Sequence, residues 1–364
     1  MGRVLDGQTS VTAFGAGAQA QRAAKLGGLA SSHQSVREVT SEPSLDVVGV
    51  GNSIVDVIVM VDDSFIETHG LAKGAMTLID AERATSLYAV MPPALEISGG
   101  SAANTVAGVA SFGGSAAYIG KVRNDQLGEV FAHDLRAAGV GFDVPLAKGG
   151  LPTGRSLIAV TPDAERTMNT FLGMSTLLEP ADVDAELVVS AAITYCEGYL
   201  WDIDIAKAAI RHTMDLASDA GRLVSLTLSD SFCVDRHRHE WLDLISDMVD
   251  LVFANETEIC SLFETEDFDS AAARAADITE IVALTRSAEG SVVVSGDERV
   301  EVPAVHVPRI VDATGAGDLY ASGFLFGLAR GAGLRRCAEL GGIAAAEIIS
   351  HVGARPQVSL SSLA

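Results

Sequence analysis

Aromatic residues, cysteines and basic residues are all scarce in this sequence of 364 residues. Lysine and arginine number 25 against 48 acidic residues, which gives a formal net charge of −23. That charge argues against nucleic acid or an anionic membrane as the main partner. The four cysteines lie far apart and form no Cys-x-x-Cys pair, which argues against a zinc site or a disulfide framework. A reducing compartment, the cytoplasm, is therefore predicted.

Several functional signatures are missing as well. No apolar run reaches the length of a transmembrane helix, and the N-terminus has no apolar signal-peptide core. The sequence contains no Walker phosphate loop, no His-Glu-x-x-His and no Gly-x-Ser-x-Gly, so metalloprotease and hydrolase functions lack support. In so acidic a chain, a phosphate site has to be built locally from backbone amides, an arginine and metal ions.

Residues 1–44 differ in composition from the rest of the chain. They are rich in Ala, Gly, Ser and Gln and show no sustained hydrophobic period. This pattern predicts a disordered extension with a short helix around residues 19–29. An organelle transit peptide and an over-long start of translation are alternatives that the sequence leaves open.

Apolar strands and helical segments alternate along most of the remaining chain. The first strand is predicted at Leu45–Gly51, and repeated strand–helix units follow from Ala191 onward. Such units predict a parallel sheet with helices on both faces, with ligands bound at the carboxyl ends of the strands. Residues 153–173 instead predict a hairpin, because two β-rich runs flank the turn at 162–165.

A glycine-rich turn with the sequence Asp-Ala-Thr-Gly-Ala-Gly-Asp spans residues 312–318 and precedes an apolar helix. The first amides of a helix have no partner within it, so the N–H groups of Gly315, Ala316 and Gly317 predict an anion site. Asp318 places a carboxylate beside that site. An anion cradle next to a base is what phosphoryl transfer to a hydroxyl group requires.

A second turn, Gly-Gly-Ser-Ala-Ala-Asn at residues 99–104, also opens a helix. Asn104 lies three residues after the Ser101 cap, so its amide should lie close to the Gly-Gly turn. Earlier in the chain, Asn52 and Asp56 are polar residues among buried strand formers. They are either a turn residue and a solvent-facing acid or a polar floor for a hydroxyl-rich ligand.

These three elements, in this order and at these separations, resemble the ribokinase-like (PfkB) family of carbohydrate and nucleoside kinases. The resemblance covers residues 45–356, and the segment 51–56 is most similar to the adenosine kinase branch. It implies an α/β fold for residues 45–364: a ribokinase-like three-layer sandwich with a mainly parallel central sheet. It also implies a small β-sheet lid drawn from about 54–80 and 153–173.

The resemblance assigns acceptor-binding roles residue by residue. Asp56 and Asn104 match the positions that bind the ribose 2′- and 3′-hydroxyls in the family, and Gly100 matches a backbone contact. The implied substrate-binding set is Asn52, Asp56, Gly100, Ser101, Asn104 and Arg166. For Arg166 the alternatives are a contact with the transferred phosphate and a solvated hairpin arginine. Met168 or Phe171 could pack on a base or sugar, or could belong to the core.

The resemblance also implies ATP and Mg²⁺, with K⁺ as a candidate monovalent cation. The implied ATP-binding residues are Asn255, Thr285, Ser287, Gly290 and Thr314. Glu258 matches a residue associated with Mg²⁺ through water, and it also completes a helix capping box with Asn255. Asp312 matches a ligand of the monovalent cation. The family usually has a glycine near Ser287, so the chain departs from the pattern there.

The sequence therefore predicts an ATP-dependent kinase of the 5′-hydroxyl of a ribonucleoside, adenosine first, with Asp318 as the base. Two alternatives stay open: a kinase of a free ribose- or fructose-type sugar, and a non-catalytic regulator that binds sugar or nucleotide. Nucleic acid and membranes are not expected as partners. Either a monomer or a homodimer is compatible with the sequence.

Overall fold

The computed structural model describes residues 42–163 and 165–364, and the structural statements that follow concern those residues. The helix predicted around residues 19–29, and nearly all of the predicted extension 1–44, lie outside them. The strands in chain order are β1 (Leu45–Val50), β2 (Ile54–Met60), β3 (Met76–Leu78), β4 (Leu95–Gly99), β5 (Ala116–Ile119), β6 (Val140–Gly141), β7 (Gly154–Val160), β8 (Arg166–Phe171), β9 (Ala191–Glu197), β10 (Leu223–Thr227), β11 (Leu251–Asn255), β12 (Ile281–Thr285), β13 (Ser291–Ser295) and β14 (Glu298–Val302).

The α-helices are α1 (Asp63–Thr68), α2 (Ala81–Tyr88), α3 (Ser101–Ser111), α4 (Gln126–Ala137), α5 (Ala185–Ser190), α6 (Asp204–Asp219), α7 (Ser231–Met248), α8 (Glu256–Leu262), α9 (Phe268–Ala276), α10 (Ala316–Ala329) and α11 (Leu334–Ile348). None of the helices described is long and apolar enough to cross a membrane.

Nine strands form the main sheet, in the order β14-β13-β12-β11-β10-β9-β1-β5-β6. All neighbours from β12 to β6 run parallel, and only β13 and β14 are antiparallel. The prediction of a mainly parallel sheet is confirmed. Its parallel strands end at one edge, where Asn52 lies two residues after the end of β1, Glu197 ends β9 and Asn255 ends β11.

Apolar side chains fill both faces of the main sheet, because successive residues of a strand point to opposite sides. Val47 of β1 joins the core made by α3, α4, α10 and α11, which includes Phe131 and Phe324. Its neighbour Val48 joins the core on the other face, which holds Trp201 and Trp241. The two cores give the three-layer architecture and fix helices α3 and α10 on the same face.

The smaller sheet has five strands in the order β3-β8-β7-β2-β4. Four of them fall in the ranges predicted for the lid, but β4 (Leu95–Gly99) was not predicted as one of its strands. Paired residues of neighbouring strands share a face, so the register arranges one face in rows. The rows across β2, β7 and β8 are Asp56–Ser156–Thr170, Ile58–Ile158–Met168 and Met60–Val160–Arg166.

Several boundaries differ from the predicted ones. The sequence predicts a helix near 240–248, but helix α7 begins at Ser231, because Asp230 caps it by accepting from the N–H of Cys233. The sequence predicts the last helix at 334–351, but helix α11 ends at Ile348. The antiparallel hairpin of β13 and β14 was not predicted. These differences leave the predicted positions of the functional turns unchanged.

Candidate active site

Asp318 lies in the first turn of α10, immediately after the glycine-rich turn. That turn needs Gly315, whose φ of +79° lies in the left-handed region that side chains disfavour. The Asp318 carboxylate accepts hydrogen bonds from Ser101 Oγ at 2.6 Å and from Asn104 Nδ2 at 2.9 Å. Burial raises the pKa of Asp318, while these two donors and the positive charge of Arg355 oppose the rise. The two predicted turns therefore meet at one carboxylate.

The N-terminus of α10 presents free backbone donors beside Asp318. Among the residues described, the N–H groups of Gly315 and Gly317 form no backbone hydrogen bond. The N–H of Ala316 donates to the carbonyl of Ala313 at 3.2 Å, so it is less available than predicted. A Cβ placed on Gly317 would meet no atom within 4 Å, which shows that the space in front of this turn is open. This geometry suits an anion.

The Gly-Gly turn is held in place by its backbone and by helix packing. Gly100 has a φ of +100°, and a Cβ there would collide with the carbonyl oxygen of Asn52. Helix α3 then packs closely on α10, since a Cβ on Gly108 would lie 2.6 Å from Cβ of Ser322. Small residues at this crossing let Asn104 approach Asp318.

Asp56 lies on the cleft side of the smaller sheet. A Cβ on Gly99 would lie 2.8 Å from its carboxyl oxygens, which places Asp56 against the Gly-Gly turn. Burial raises the pKa of Asp56 to about 6, although the charges of Arg166 and Arg355 oppose this. Only burial and nearby charges act on the pKa of Asp56, with no hydrogen bond among the causes. The buried Oδ1 of Asn104 has no hydrogen-bond partner among the described residues. Two unpaired acceptors thus lie near Asp318, where hydroxyl donors of a ligand would satisfy them.

The register of the hairpin separates two residues that the sequence could not distinguish. Met168 shares a face with Asp56, whereas Phe171 pairs with Arg155 on the opposite face. Met168 is therefore the one of the two on the same face as Asp56, and ligand packing by either residue stays a prediction. Arg166 lies at the far end of the same face as Asp56.

Arg166 forms an ion pair with the buried carboxylate of Asp312. Asp312 also accepts from the N–H groups of Thr314 and Gly353, each at 3.0 Å. The guanidinium of Arg166 therefore already supplies a positive charge to Asp312, where the family resemblance implies a monovalent cation. Asp312 could bind K⁺ only if Arg166 moved away. Nε and Nη2 of Arg166 are buried without a partner among the described residues. Both the cation role of Asp312 and the phosphate role of Arg166 stay predictions.

The predicted nucleotide residues gather at neighbouring strand ends. Asn255 at the end of β11 pairs in register with Thr285 at the end of β12. Glu258 completes the capping box, accepting from the backbone N–H of Asn255 at 2.9 Å and from its Nδ2 at 2.7 Å. Burial and the nearby charges of Asp230 and Asp318 raise the pKa of Glu258 to about 7.

Mg²⁺ binds oxygen ligands, and the carboxylate of Glu258 is such a ligand. No group of three or more His, Cys, Asp or Glu side chains in the described part of the chain is arranged to hold a metal ion. Mg²⁺ beside Glu258 would therefore take most of its ligands from phosphate and water, as the sequence resemblance implies. Its chemistry there would be to neutralise phosphate charge.

Ser287 stands near the position at which the family usually has a glycine, and its backbone conformation is one that glycine adopts more easily. It has a φ of +50°, a left-handed conformation, in the short turn that connects β12 to β13. That conformation costs an L-residue roughly 1–2 kcal/mol, and glycine avoids the cost. Serine in place of the usual glycine therefore puts a strained residue in this turn.

Replacing Ser287 with glycine should stabilise the protein. We expect the free energy of unfolding to rise by about 0.5–1 kcal/mol, the relief of strain less the extra chain entropy of glycine. Urea unfolding measures it. The control is Ala208→Gly at an exposed interior position of helix α6, which should lower stability because glycine weakens a helix interior. Equal destabilisation by both substitutions would contradict the explanation.

The sequence did not single out the buried acid Glu197, which ends β9. Its carboxylate accepts from Asn52 Nδ2 at 2.8 Å and from the N–H of Ala102 at 2.9 Å. Ser175 Oγ donates to Asn52 Oδ1 at 2.9 Å, so the oxygen and the nitrogen of the Asn52 amide each have a partner within the protein. Burial raises the pKa of Glu197 to about 7. The sequence could have indicated Glu197 as a site residue, because it is an acid at the carboxyl end of a predicted strand.

Comparisons with known proteins agree with this geometry. The family model described as pfkB family carbohydrate kinase matches residues 82–360. The structure is similar to that of adenosine kinase from Sinorhizobium meliloti, with 54% sequence identity, a TM-score of 0.82 and coverage of 88% of this chain and 98% of that one.

A probable sugar kinase from Rhizobium etli is similar to the same degree, at 51% identity and a TM-score of 0.82, with the same coverage of both chains. Adenosine kinase of Saccharomyces cerevisiae is 26% identical over 332 residues, which cover 84% of this chain and 95% of that protein. Relatives with both kinds of name therefore match over most of the chain.

Proposed function

The chain belongs to the pfkB family of carbohydrate kinases, and on that premise we propose that it phosphorylates the 5′-hydroxyl of a ribonucleoside, adenosine being the first candidate. Family membership makes the protein an ATP-dependent kinase with a hydroxyl group as acceptor, and the family in general uses ATP with Mg²⁺. The nucleoside, its reacting hydroxyl and the role of each residue are the proposal.

One observation carries this proposal: the turn that offers free amides and the turn that offers hydroxyl acceptors meet at Asp318. The donors to its carboxylate come from Ser101 and Asn104, more than 200 positions earlier in the chain. Asp56 and the Oδ1 of Asn104 supply acceptors for two neighbouring hydroxyls. A ribose bound through its 2′- and 3′-hydroxyls then directs its 5′-hydroxyl towards Asp318.

The apolar row beside Asp56 supports a nucleoside rather than a free sugar. Ile58, Ile158 and Met168 follow Asp56 on the same face of the smaller sheet, one row along. A purine is flat and largely apolar, so it matches this row, whereas a free sugar offers only hydroxyls there.

The residues supply the parts of an in-line phosphoryl transfer. Asp318 accepts the hydroxyl proton while the acceptor oxygen bonds to the γ-phosphorus and the bond to the ADP oxygen breaks. The N–H groups of Gly315 and Gly317 stabilise charge on the transferred group. Asn255, Thr285, Ser287, Gly290 and Thr314 line the ATP side. Glu258 would hold Mg²⁺ through water, and the ion would supply positive charge to neutralise the phosphates.

A free-sugar kinase is the second candidate, favoured by the Rhizobium etli relative that is named a probable sugar kinase. It would use the same base and the same anion turn, with a smaller acceptor on Asp56. A non-catalytic regulator has less support, because regulators derived from kinases usually lose the base or the turn, and both are present here.

An acceptor screen tests the proposal. Purified protein is given ATP and Mg²⁺ with adenosine, inosine, guanosine, ribose or fructose, with and without K⁺, and ADP formation is followed. Adenosine should give the highest kcat/KM. A preference for ribose or fructose would establish the sugar kinase, and no turnover of any acceptor would favour the regulator. Asp318→Asn protein prepared in parallel shows whether a contaminating kinase contributes.

A further inference from the structure

We infer that Arg355 is a positioning residue that clamps the Gly-Gly turn, defined here as residues 98–104, against the anion site. The inference rests on the proposed function, since that turn carries the acceptor-binding residues. It concerns a residue to which neither the motifs nor the family resemblance gave a role.

The guanidinium of Arg355 bonds both sides of the Gly-Gly turn. Nε donates to the carbonyl of Ser98 at 3.1 Å, and Nη2 donates to Ser98 Oγ at the same distance. Nη1 donates to the carbonyl of Ala103, in the first turn of α3. The last residues of β4 are thereby tied to the start of α3 across Gly99 and Gly100. Only a planar side chain with several fixed donors can make this set of bonds at once.

The segment that carries Arg355 also contacts the anion turn. The N–H of Gly353 donates to Asp312, and a Cβ on Gly315 would lie 3.0 Å from Cβ of Ala354. Three consecutive residues after α11 therefore touch Asp312, Gly315 and the Gly-Gly turn in that order. This short continuous segment therefore makes non-covalent contacts with both the phosphate side and the hydroxyl side of the site.

The charge of Arg355 acts on both acids of the cleft. It opposes the rise in the pKa of Asp56 and of Asp318 that burial produces. Burial lowers the pKa of Arg355 itself to about 10, so it remains protonated at neutral pH. The other charged or titratable groups that act on these three residues, or on which Asp318 acts, are Arg166, Asp312, Asp134, Glu197, Glu258, Tyr118, Tyr195 and Tyr199. Among the described residues, Arg166 is the only cation in that list, and Arg355 is the cation that acts on Asp318.

Two substitutions separate the clamp from the charge. Arg355→Met removes both, whereas Arg355→Lys keeps the charge but cannot reproduce three fixed hydrogen bonds. Arg336→Met, on the exposed side of α11, is the matched control for the change in net charge. Hydrogen exchange of peptides covering 98–107 is measured on the free proteins, and kcat/KM is measured from pH 5.5 to 8.5 with an acceptor that the wild type phosphorylates.

For Arg355→Met we expect faster exchange in the Gly-Gly turn and a fall in kcat/KM of about 10–100-fold, since small displacements of a reacting geometry have such costs. The pH profile should also change. Loss of the positive charge raises the pKa of Asp318, so the acidic limb moves to higher pH and the deficit is larger at pH 6 than at pH 8. Arg355→Lys should restore the wild-type acidic limb while exchange remains faster.

The outcomes distinguish this inference from the proposed function. Wild-type exchange in Arg355→Met together with kcat/KM within about twofold of the wild type would overturn the clamp. A deficit equal at all pH values, and not relieved by lysine, would remove the electrostatic part. If the wild type phosphorylates no acceptor, the proposed function fails, and the exchange measurement still decides the clamp. Thermal melting shows whether each variant is folded, and Arg355→Lys serves if Arg355→Met is not.

Discussion

Replacing Asp318 with asparagine is expected to lower kcat by about 10²–10⁴-fold, which is the usual contribution of a general base. The geometry should survive the change. The new amide oxygen can still accept from Asn104 Nδ2, and the new amide nitrogen can donate to Ser101 Oγ, because a hydroxyl both donates and accepts. What the variant lacks is a group that takes the hydroxyl proton.

Binding should change little in Asp318→Asn. The acceptors proposed for the ribose hydroxyls are on Asp56 and Asn104, which the substitution leaves in place. Calorimetric titration with the nucleoside in the absence of ATP measures binding, and ADP formation under saturating substrate measures kcat. Asp215→Asn, on the exposed side of helix α6, controls for the loss of one negative charge. Near-full turnover by Asp318→Asn would remove Asp318 from the role of base.

The sequence predicts local structure well where a turn requires particular residues. The Gly-rich turn before Asp318 and the Gly-Gly turn before Asn104 are both helix starts, and a helix start is encoded within about six residues. Their meeting is different. The hydrogen bond from Asn104 to Asp318 joins residues 214 positions apart, and no local pattern specifies it. Only the family resemblance placed the two turns in one site before the structure did.

Buried charges are the part of the site that the sequence could not supply. Glu197 and Arg355 are single charged residues without a motif around them. An isolated charge is most often exposed, so burial was not the expected state for either residue. Both bind the backbone near the Gly-Gly turn, Glu197 through the N–H of Ala102 and Arg355 through the carbonyls of Ser98 and Ala103. Their partners are backbone groups, which leave no trace in side-chain patterns.

The smaller sheet shows a similar limit. Its predicted ranges omitted β4, because Leu95–Gly99 has only five residues and runs directly into the Gly-Gly turn, so its apolar–polar alternation is too short to indicate a strand. The face on which each residue lies depends on register alone. A shift of one residue would exchange Met168 for a neighbour and move Arg166 away from Asp312, so the chemistry of this face required the structure.

Replacing Asp56 with alanine should weaken acceptor binding strongly and leave kcat much less affected. Hydrogen bonds to a charged group are worth about 1.5–3 kcal/mol, so the KM for the nucleoside should rise about 10–100-fold. The wild type should show a related pH effect. Asp56 has a pKa of about 6, so the KM should rise as the pH falls below 6 and the carboxylate becomes protonated. In Asp56→Ala that part of the pH dependence should disappear.

Asp56→Ala should weaken nucleoside binding without lowering the stability of the protein. This difference separates a binding role of Asp56 from a structural one. The pKa of Asp56 is about 6 in the folded protein against 3.8 for a free aspartate side chain, so the folded state holds the proton of Asp56 more tightly. Its contribution to stability is therefore present below pH 3.8 and lost as the pH rises through 6. At pH 7 the ionised side chain opposes folding by up to about 3 kcal/mol.

Asp56→Ala removes that opposition, so the melting temperature at pH 7 should stay the same or rise while nucleoside binding is lost. Ser156→Ala, in the same row of the smaller sheet, is the matched control, because it removes a hydroxyl that is bonded to Thr170 within the protein. It should leave the nucleoside KM much closer to the wild-type value. An unchanged KM in Asp56→Ala would show that Asp56 does not hold the acceptor. A fall in both stability and binding would instead make Asp56 a structural residue of the lid sheet.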